Sequence, residues 1–192
     1  MIKFNLRFYI VLIANILVCS TVFGQFATKD LLTHKVMITH PDHTEVTFIE
    51  PVKKQKIYDD KYYYWYSSNQ INMTQGGYSG SLLNGDYKDF HQNKNLKVSG
   101  KFKAGLKNDI WNLWNEQGIL LDSYSWRKGK KSGNYSKYDS TGRTIETGKY
   151  CNNLLQGKQT IVEGDSIRVI YYKKGKVKEH KSFLPKFIRD IF

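Results

Sequence analysis

The sequence predicts an all-β chain: an elongated, single-sheet antiparallel β-hairpin repeat array, closed by a short C-terminal amphipathic helix as cap. Three observations predict it. Aromatic residues recur every 24 positions, at Tyr63, Tyr87, Trp111 and Tyr135, at Tyr66, Phe90, Trp114 and Tyr138, and at Tyr78, Phe102, Trp126 and Tyr150. All twelve positions are aromatic in a chain that is only 15% aromatic, so chance does not account for the rows. Turn residues keep the same step, with Gly118 and Gly142 in one turn, Gly105 and Gly129 in a second, and Gly85, Asp109, Gly133 and Gly157 before the aromatic strand. A fixed period of this length marks a repeat architecture.

At the N-terminus, Lys3 and Arg7 precede an apolar run from Phe8 to Phe23, and Val22 and Gly24 stand at −3 and −1 of a cleavage site before Gln25. These are the parts of a secretory signal peptide over residues 1–24. The apolar run is short for a bilayer span, which needs about 20 residues. Val18 before Cys19 does not suit lipidation. Export leaves one cysteine, Cys151, so no internal disulfide forms; its row, with Lys103 and Arg127, is polar and places it near the surface. The net charge is +13, and removal of Lys3 and Arg7 with no acidic residue leaves +11.

Residues 25–60 lie outside the 24-residue register and read as an N-terminal β cap. Val36–Thr39 and Glu45–Ile49 are β-branched runs around a turn at His40-Pro41-Asp42-His43. A cap is needed because an end strand exposes unpaired backbone groups. Residues 61–178 form the array of about five 24-residue hairpins. In one unit, 85–90 is a strand, 92–95 a polar turn, 96–102 the return strand and 103–108 the turn to the next unit. Such a unit cannot bury a face alone, so stability comes from its neighbours. Tyr87 and Phe90 are three apart, which puts them on opposite faces of a regular strand unless a bulge intervenes; both arrangements are open at this point. Phe102 and Trp126 are expected to flank Trp111. The fifth unit fades: Gln159 and Val162 replace aromatics, and the Glu163–Ser166 turn is two residues short. In the tail, 179–192, Phe183, Leu184, Phe187, Ile188 and Ile191 have helical spacing behind Pro185.

The pattern G-x-Y/W-x-x-Y/F/W, then Gly, then Y/F/W-x-x-G, resembles the bacterial variant of the MORN repeat. Gly133-Asn134-Tyr135-Ser136-Lys137-Tyr138, with Gly142 and Gly148-Lys149-Tyr150, is the clearest copy; Asp109 to Trp114, with Gly118 and Trp126 to Gly129, is the next. The resemblance covers residues 61–178. Gln70 stands where later copies have Gly, and Asn153 replaces a second-turn Gly. The resemblance implies an elongated antiparallel array with scaffold, protein-binding or lipid-headgroup-binding roles, and no catalytic residues to carry over.

No enzyme constellation emerges from the residues. There is no G-x-S-x-G elbow. Gly76–Gly80 lacks the strand–helix setting and lysine of a phosphate loop and reads as a turn. The segment His40–His43 is read as a turn rather than a metal site, although Glu45 could supply a third ligand. No metal and no cofactor are expected. The candidate binding face is Tyr87, Phe90, Phe102, Trp111, Trp114, Trp126, Tyr135, Tyr138 and Tyr150. The candidate basic patch is Lys101, Lys103, Arg127, Lys128, Lys130 and Lys131, within a wider set of basic turn positions that includes Lys107. The expected function is a non-enzymatic exported interaction or scaffold module of the cell envelope, at the periplasm, cell surface or outside. Its partner is an unidentified protein or peptide; the alternative is an anionic lipid headgroup or glycan. Nucleic acid is not expected for an exported chain, and the tail is a candidate for membrane contact.

Overall fold

The computed structural model describes residues 34–50 and 55–178. The expected signal peptide (1–24) and helical tail (179–192) lie outside the described residues. Among those residues the chain is all-β, with no helix. β1 (His34–Thr39) and β2 (His43–Ile49) form a hairpin where two β-branched runs were expected. β3 (Tyr62–Ser67), β4 (Gln70–Gln75) and the two-residue β5 (Ser81–Leu82) follow. Then come β6 (Gly85–His91), β7 (Leu96–Lys103), β8 (Leu106–Trp114), β9 (Leu120–Arg127), β10 (Lys130–Tyr138) and β11 (Thr144–Cys151). Last are β12 (Leu154–Leu155), β13 (Gly157–Glu163), β14 (Ser166–Lys173) and β15 (Lys176–Val177).

The large sheet is antiparallel and open, in the order β1-β2-β6-β7-β8-β9-β10-β11-β13-β14-β15, with β12 beside β11. The backbone repeats with the sequence. Two-residue turns with both residues at positive φ occur at Ala104-Gly105 (50°, 75°), Lys128-Gly129 (50°, 79°) and Asn152-Asn153 (50°, 69°). Lys174-Gly175 (51°, 78°) is the same turn, displaced by the two residues missing from the fifth unit. Paired positive φ is the type I′ geometry whose twist suits a hairpin, and asparagine tolerates it, which explains Asn153.

The opposite turns are four-residue loops. Gly118 and Gly142 take φ of 80° and 83°, and Lys94 takes 68° in the preceding copy. The Asn115 and Asp139 side chains close these loops by accepting the amides of Ile119 (2.8 Å) and Arg143 (3.0 Å). Just inside each loop the register slips, between Asp89 and Phe90, Leu113 and Trp114, and Lys137 and Tyr138. The extra residue belongs to the return strand: Lys97, Leu121 and Ile145, again 24 apart. From Tyr87 to Phe90, and at the same step in the later copies, the aromatic strand is regular, so the two rings face opposite sides. A second slip lies earlier in that strand, where β8 and β10 carry extra residues around Asp109 and Gly133 against β7 and β9.

The expected single sheet is corrected to two sheets. The first copy forms its own three-stranded sheet, β4-β3-β5, and β2 occupies the edge of β6 instead, pairing His43 with His91 through Val46 with Lys88. Local chemistry explains the departure. Lys61 stands where later copies have Gly85, Asp109, Gly133 and Gly157, all at positive φ. Gln70 stands where Lys94, Gly118 and Gly142 take positive φ in the long loop. The first copy therefore turns at Ser68-Asn69 (50°, 58°) and pairs without a bulge from Tyr62–Gln75 to Ser67–Gln70. Lacking the bulge, it is out of step with the rest.

The small sheet packs on the large one. Tyr64 N donates to Gly105 O (2.8 Å), Gly105 N to Leu83 O (2.7 Å) and Leu83 N to Tyr64 O (3.1 Å). Leu83, Phe102 and Trp111 form a buried cluster there, with Tyr64, Tyr66 and Ile71 against it. At Gly105 a β-carbon would lie 2.5 Å from Leu82 Cδ2, so both φ and space require glycine. At the far end β14 is largely exposed, with Ile167 at 70%. Cys151 is an exposed free thiol, as its polar row implied.

Candidate functional site: an aromatic and basic face

Strand alternation and register put one set of side chains on a common face. Gly85 pairs with Phe102, Tyr87 with Gly100 and Phe102 with Lys107. Trp111 pairs with Tyr124, Lys131 with Trp126, and Tyr135 with both Tyr124 and Gly148. Gly133 pairs with Tyr150. The rings meet in two groups. Tyr64, Phe102, Trp111 and Tyr87 have neighbouring centroids 4.8–5.5 Å apart. Tyr124 stacks on Tyr135 at 5.4 Å and 6°, and Tyr135 meets Tyr150 at 5.0 Å. Such pairs contribute about 0.5–1.5 kcal/mol each beyond the area they bury. Phe102 touches Trp111 as expected, and Trp126 packs against the same cluster.

Six of the nine predicted binding-face residues therefore share this face: Tyr87, Phe102, Trp111, Trp126, Tyr135 and Tyr150. The other three do not. Phe90, Trp114 and Tyr138 lie three residues further along regular strands and take the opposite face, because the bulge is in the partner strand. Phe90 there lines a hollow of about 510 Å³ with Met37, Thr39, Thr44 and Val46.

The predicted basic patch is not one surface. Lys101 alternates with Phe102 onto the opposite side and pairs with Asp86 at 3.6 Å. Lys130 reaches Asp60 at 2.7 Å. Lys103, Arg127 and Lys128 are exposed at strand ends and turns. Of the six, only Lys131 belongs to the aromatic face. It is joined by Lys107, one residue row earlier in the same register.

These two lysines are the unusual feature of the face. Their row is Leu83, Lys107, Lys131 and Leu155. The backbone role is the same at each: Leu83 O, Lys107 O, Lys131 O and Leu155 O accept the amides of Gly105, Gly129, Asn153 and Gly175. Leu83 is fully buried at this position. Two lysines thus occupy an otherwise apolar row. Lys107 Nζ lies 4.2 Å from the Trp111 ring, 5.2 Å from Trp126 and 5.4 Å from Tyr64. Lys131 Nζ lies 3.9 Å from Tyr124, 5.4 Å from Tyr150 and 5.9 Å from Trp126. Neither amine makes an ion pair among the described residues.

Burial, and then the Lys131 charge, lower the Lys107 ammonium from 10.5 to about 8. Burial also lowers Lys131, aided by Lys137 and opposed by Asp122. The Lys107 shift corresponds to roughly 3 kcal/mol before discounting for residual solvent. Cation–π attraction returns about 0.5–2 kcal/mol. The charge is therefore a net cost to the fold. A hollow of about 190 Å³ opens at Lys107 between the sheets, lined by Tyr62, Tyr64, Met73, Trp126 and Gly129. Chemically, a cation walled by aromatics and lacking a counter-ion attracts an anion.

Sequence reasoning placed Lys107 only among basic turns and missed Tyr124. The lysine row carried a readable signal, Leu-Lys-Lys-Leu. Tyr124 carried none, because its row is Gly100, Tyr124, Gly148. Those glycines have a reason of their own: a β-carbon on Gly100 would overlap the Trp111 ring, and one on Gly148 would lie 2.7 Å from Tyr135 Cε1.

The face ends in two carboxylate clusters. Tyr135 donates to Glu146 at 2.6 Å, Lys137 to Glu146 at 2.9 Å, and Gln159 to both Glu146 (2.7 Å) and the Tyr135 hydroxyl (3.0 Å). Gln159, which broke the aromatic row, is thus a buried hydrogen-bonding member. At the other end Tyr87 donates to Glu45 at 2.6 Å. There the segment read as a plain turn brings one ligating atom each of His40, His43 and Glu45 within 4.8 Å of one another. Compared with known proteins, the chain matches no family model, and no curated protein or solved structure is significantly similar to it.

Proposed function

We propose that this chain is a non-enzymatic, exported repeat protein of the bacterial MORN-variant kind. It serves as an interaction or scaffold module of the cell envelope, and its aromatic and basic face takes an acidic segment of a protein partner. The observation that carries this reading is the pair Lys107 and Lys131. Each holds an ammonium among rings, without an ion pair among the described residues, at a position where the flanking copies keep leucine. Aspartate or glutamate side chains supply the missing charge, and apolar or aromatic neighbours in the same segment match Trp126, Tyr64 and Tyr124.

Tryptophan fluorescence tests it, since Trp111 and Trp126 line the site. Peptides rich in Asp and Glu with interspersed aromatics are titrated at low and moderate salt. Saturable quenching is expected, lost in Lys107→Leu/Lys131→Leu and kept in Lys103→Ala/Lys128→Ala. The reverse pattern contradicts the reading.

A second reading, binding of anionic lipid headgroups or glycans, draws on the +11 charge expected after export and on the exposed Lys103, Arg127 and Lys128. It predicts co-sedimentation with anionic vesicles that salt abolishes, because exposed charges are screened within about 8–10 Å. That binding would survive the double leucine change.

A further inference from the structure

We infer that the turn between β1 and β2 is a binding site for a divalent first-row transition metal ion, with Zn²⁺ the reference case, built from His40, His43 and Glu45. The inference is independent of the aromatic face's ligand. Two imidazoles and a carboxylate are the donor set that such ions take, whereas calcium and magnesium favour oxygen alone. The hairpin supplies the convergence. His43 and Glu45 alternate onto one face of β2, and His40 closes the turn opposite them. The ligating atoms lie within 4.8 Å of one another, and His40 Nε2 is already 3.1 Å from Glu45 Oε2. Tetrahedral bond lengths of about 2.0–2.1 Å put ligand atoms roughly 3.3 Å apart, so that edge needs no adjustment: the ion replaces the proton between His40 and Glu45.

The surroundings are those of a ligand set rather than of a bare turn. Asp42 Oδ1 accepts the Nδ1 proton of His43 at 2.8 Å, which leaves His43 Nε2 as the free ligand. The Tyr87 hydroxyl donates to Glu45 Oε1 at 2.6 Å, which leaves Oε2 for the ion. Two of the three ligands are thus fixed by an outer partner, the arrangement that orients metal ligands. All three are half-buried rather than fully exposed. The two imidazoles are stacked, with centroids 4.1 Å apart and planes 12° from parallel. Closing on an ion shortens the long side of the triangle, which at up to 4.8 Å exceeds the edge of a tetrahedral site. A water or an external donor completes four-coordination. Tyr87 also stacks on Trp111 at 5.5 Å, so an ion on Glu45 is one hydrogen bond away from the aromatic face.

The full chain, without a polyhistidine tag and stripped with chelator, is titrated with Zn²⁺ by calorimetry and with Co²⁺ followed in the visible. One equivalent is expected to bind, with Co²⁺ showing intense d–d bands of a four-coordinate site and Zn²⁺ raising the melting temperature. His40→Ala/His43→Ala is expected to lose at least about 100-fold in affinity, and Asp42→Asn about 10-fold, the range found for outer-shell carboxylates. Glu45→Gln keeps the side chain's shape and is expected to weaken binding while leaving the far-ultraviolet circular dichroism unchanged. Absence of saturable uptake overturns the assignment. So does uptake that is unchanged in the Glu45→Gln protein or in the double histidine variant.

Discussion

Lys107 concentrates the physics of the molecule in one side chain. Its ammonium is desolvated between Trp111, Trp126 and Tyr64, and its folded-state pKa is about 8 against 10.5 unperturbed. The folded chain therefore releases this proton earlier than the unfolded chain does. Between about pH 8 and 10.5 the unfolded state binds more protons, so Lys107 makes stability rise with pH across that window. Below about pH 8 its full penalty is in force. A lysine side-chain NMR titration is expected to show one resonance titrating near 8, absent in Lys107→Leu. The residue was legible in the sequence only as a member of a row. Read alone, Lys107 is one cation among many beside Gly105; read at steps of 24, it is a lysine in a leucine position. Tyr124 could not be found that way, because its ring fills space that Gly100 and Gly148 leave to the rings of Trp111 and Tyr135.

At the scale of the hairpin, the rings lie flat because the strand beneath them has glycine. Gly100→Ala drives a methyl group into Trp111, and an overpacking loss of about 2–3 kcal/mol is expected in urea denaturation. Gly118→Ala meets nothing within 4 Å but holds φ at 80°, and about 1–2 kcal/mol is expected there from backbone strain alone. The Tyr135–Glu146–Gln159 cluster makes the other prediction at this scale. Burial pushes the Glu146 carboxyl up, but the hydrogen bonds from Tyr135, Lys137 and Gln159 outweigh it and hold the group below its ordinary 4.5. Its stabilisation is thus complete above the ordinary value and fades as pH falls through the lowered one. Tyr135→Phe is expected to cost about 1–3 kcal/mol near neutral pH, and that difference should shrink in acid denaturation toward the low end of the carboxylate range.

The hairpins themselves were legible, because period-24 aromatics and glycines name both strands and both turns. The first copy's departure was written in the same rows, at Lys61 and Gln70. What the rows do not encode is which strand replaces it; β2 has no period to betray that it pairs with β6. That Tyr87 and Phe90 face opposite sides was legible as one of two alternatives; the return-strand bulge was not, because Lys97, Leu121 and Ile145 share no turn or bulge chemistry that would mark it.

Over the whole molecule, adjacent hairpins hold one another, and the open order of the large sheet makes the array divisible in units of 24. Excision of residues 109–132 joins Asn108 to Gly133, puts Tyr135 where Trp111 stood and keeps each strand facing the same way. That protein is expected to retain β-type circular dichroism and cooperative unfolding. Excision of half a unit, 109–120, reverses the strand sense and is expected to abolish both. The same picture separates cohesion from function. The rings supply the former, while Lys107 and Lys131 oppose it, and the proposed function assigns them to an acidic partner. The direct measurement is equilibrium denaturation of Lys107→Leu/Lys131→Leu against the parent chain at neutral pH. The account predicts a more stable protein, by about 1–3 kcal/mol, since two desolvated charges give way to the leucine of the neighbouring copies. A less stable protein would contradict it and would make the two lysines part of what holds the sheet together.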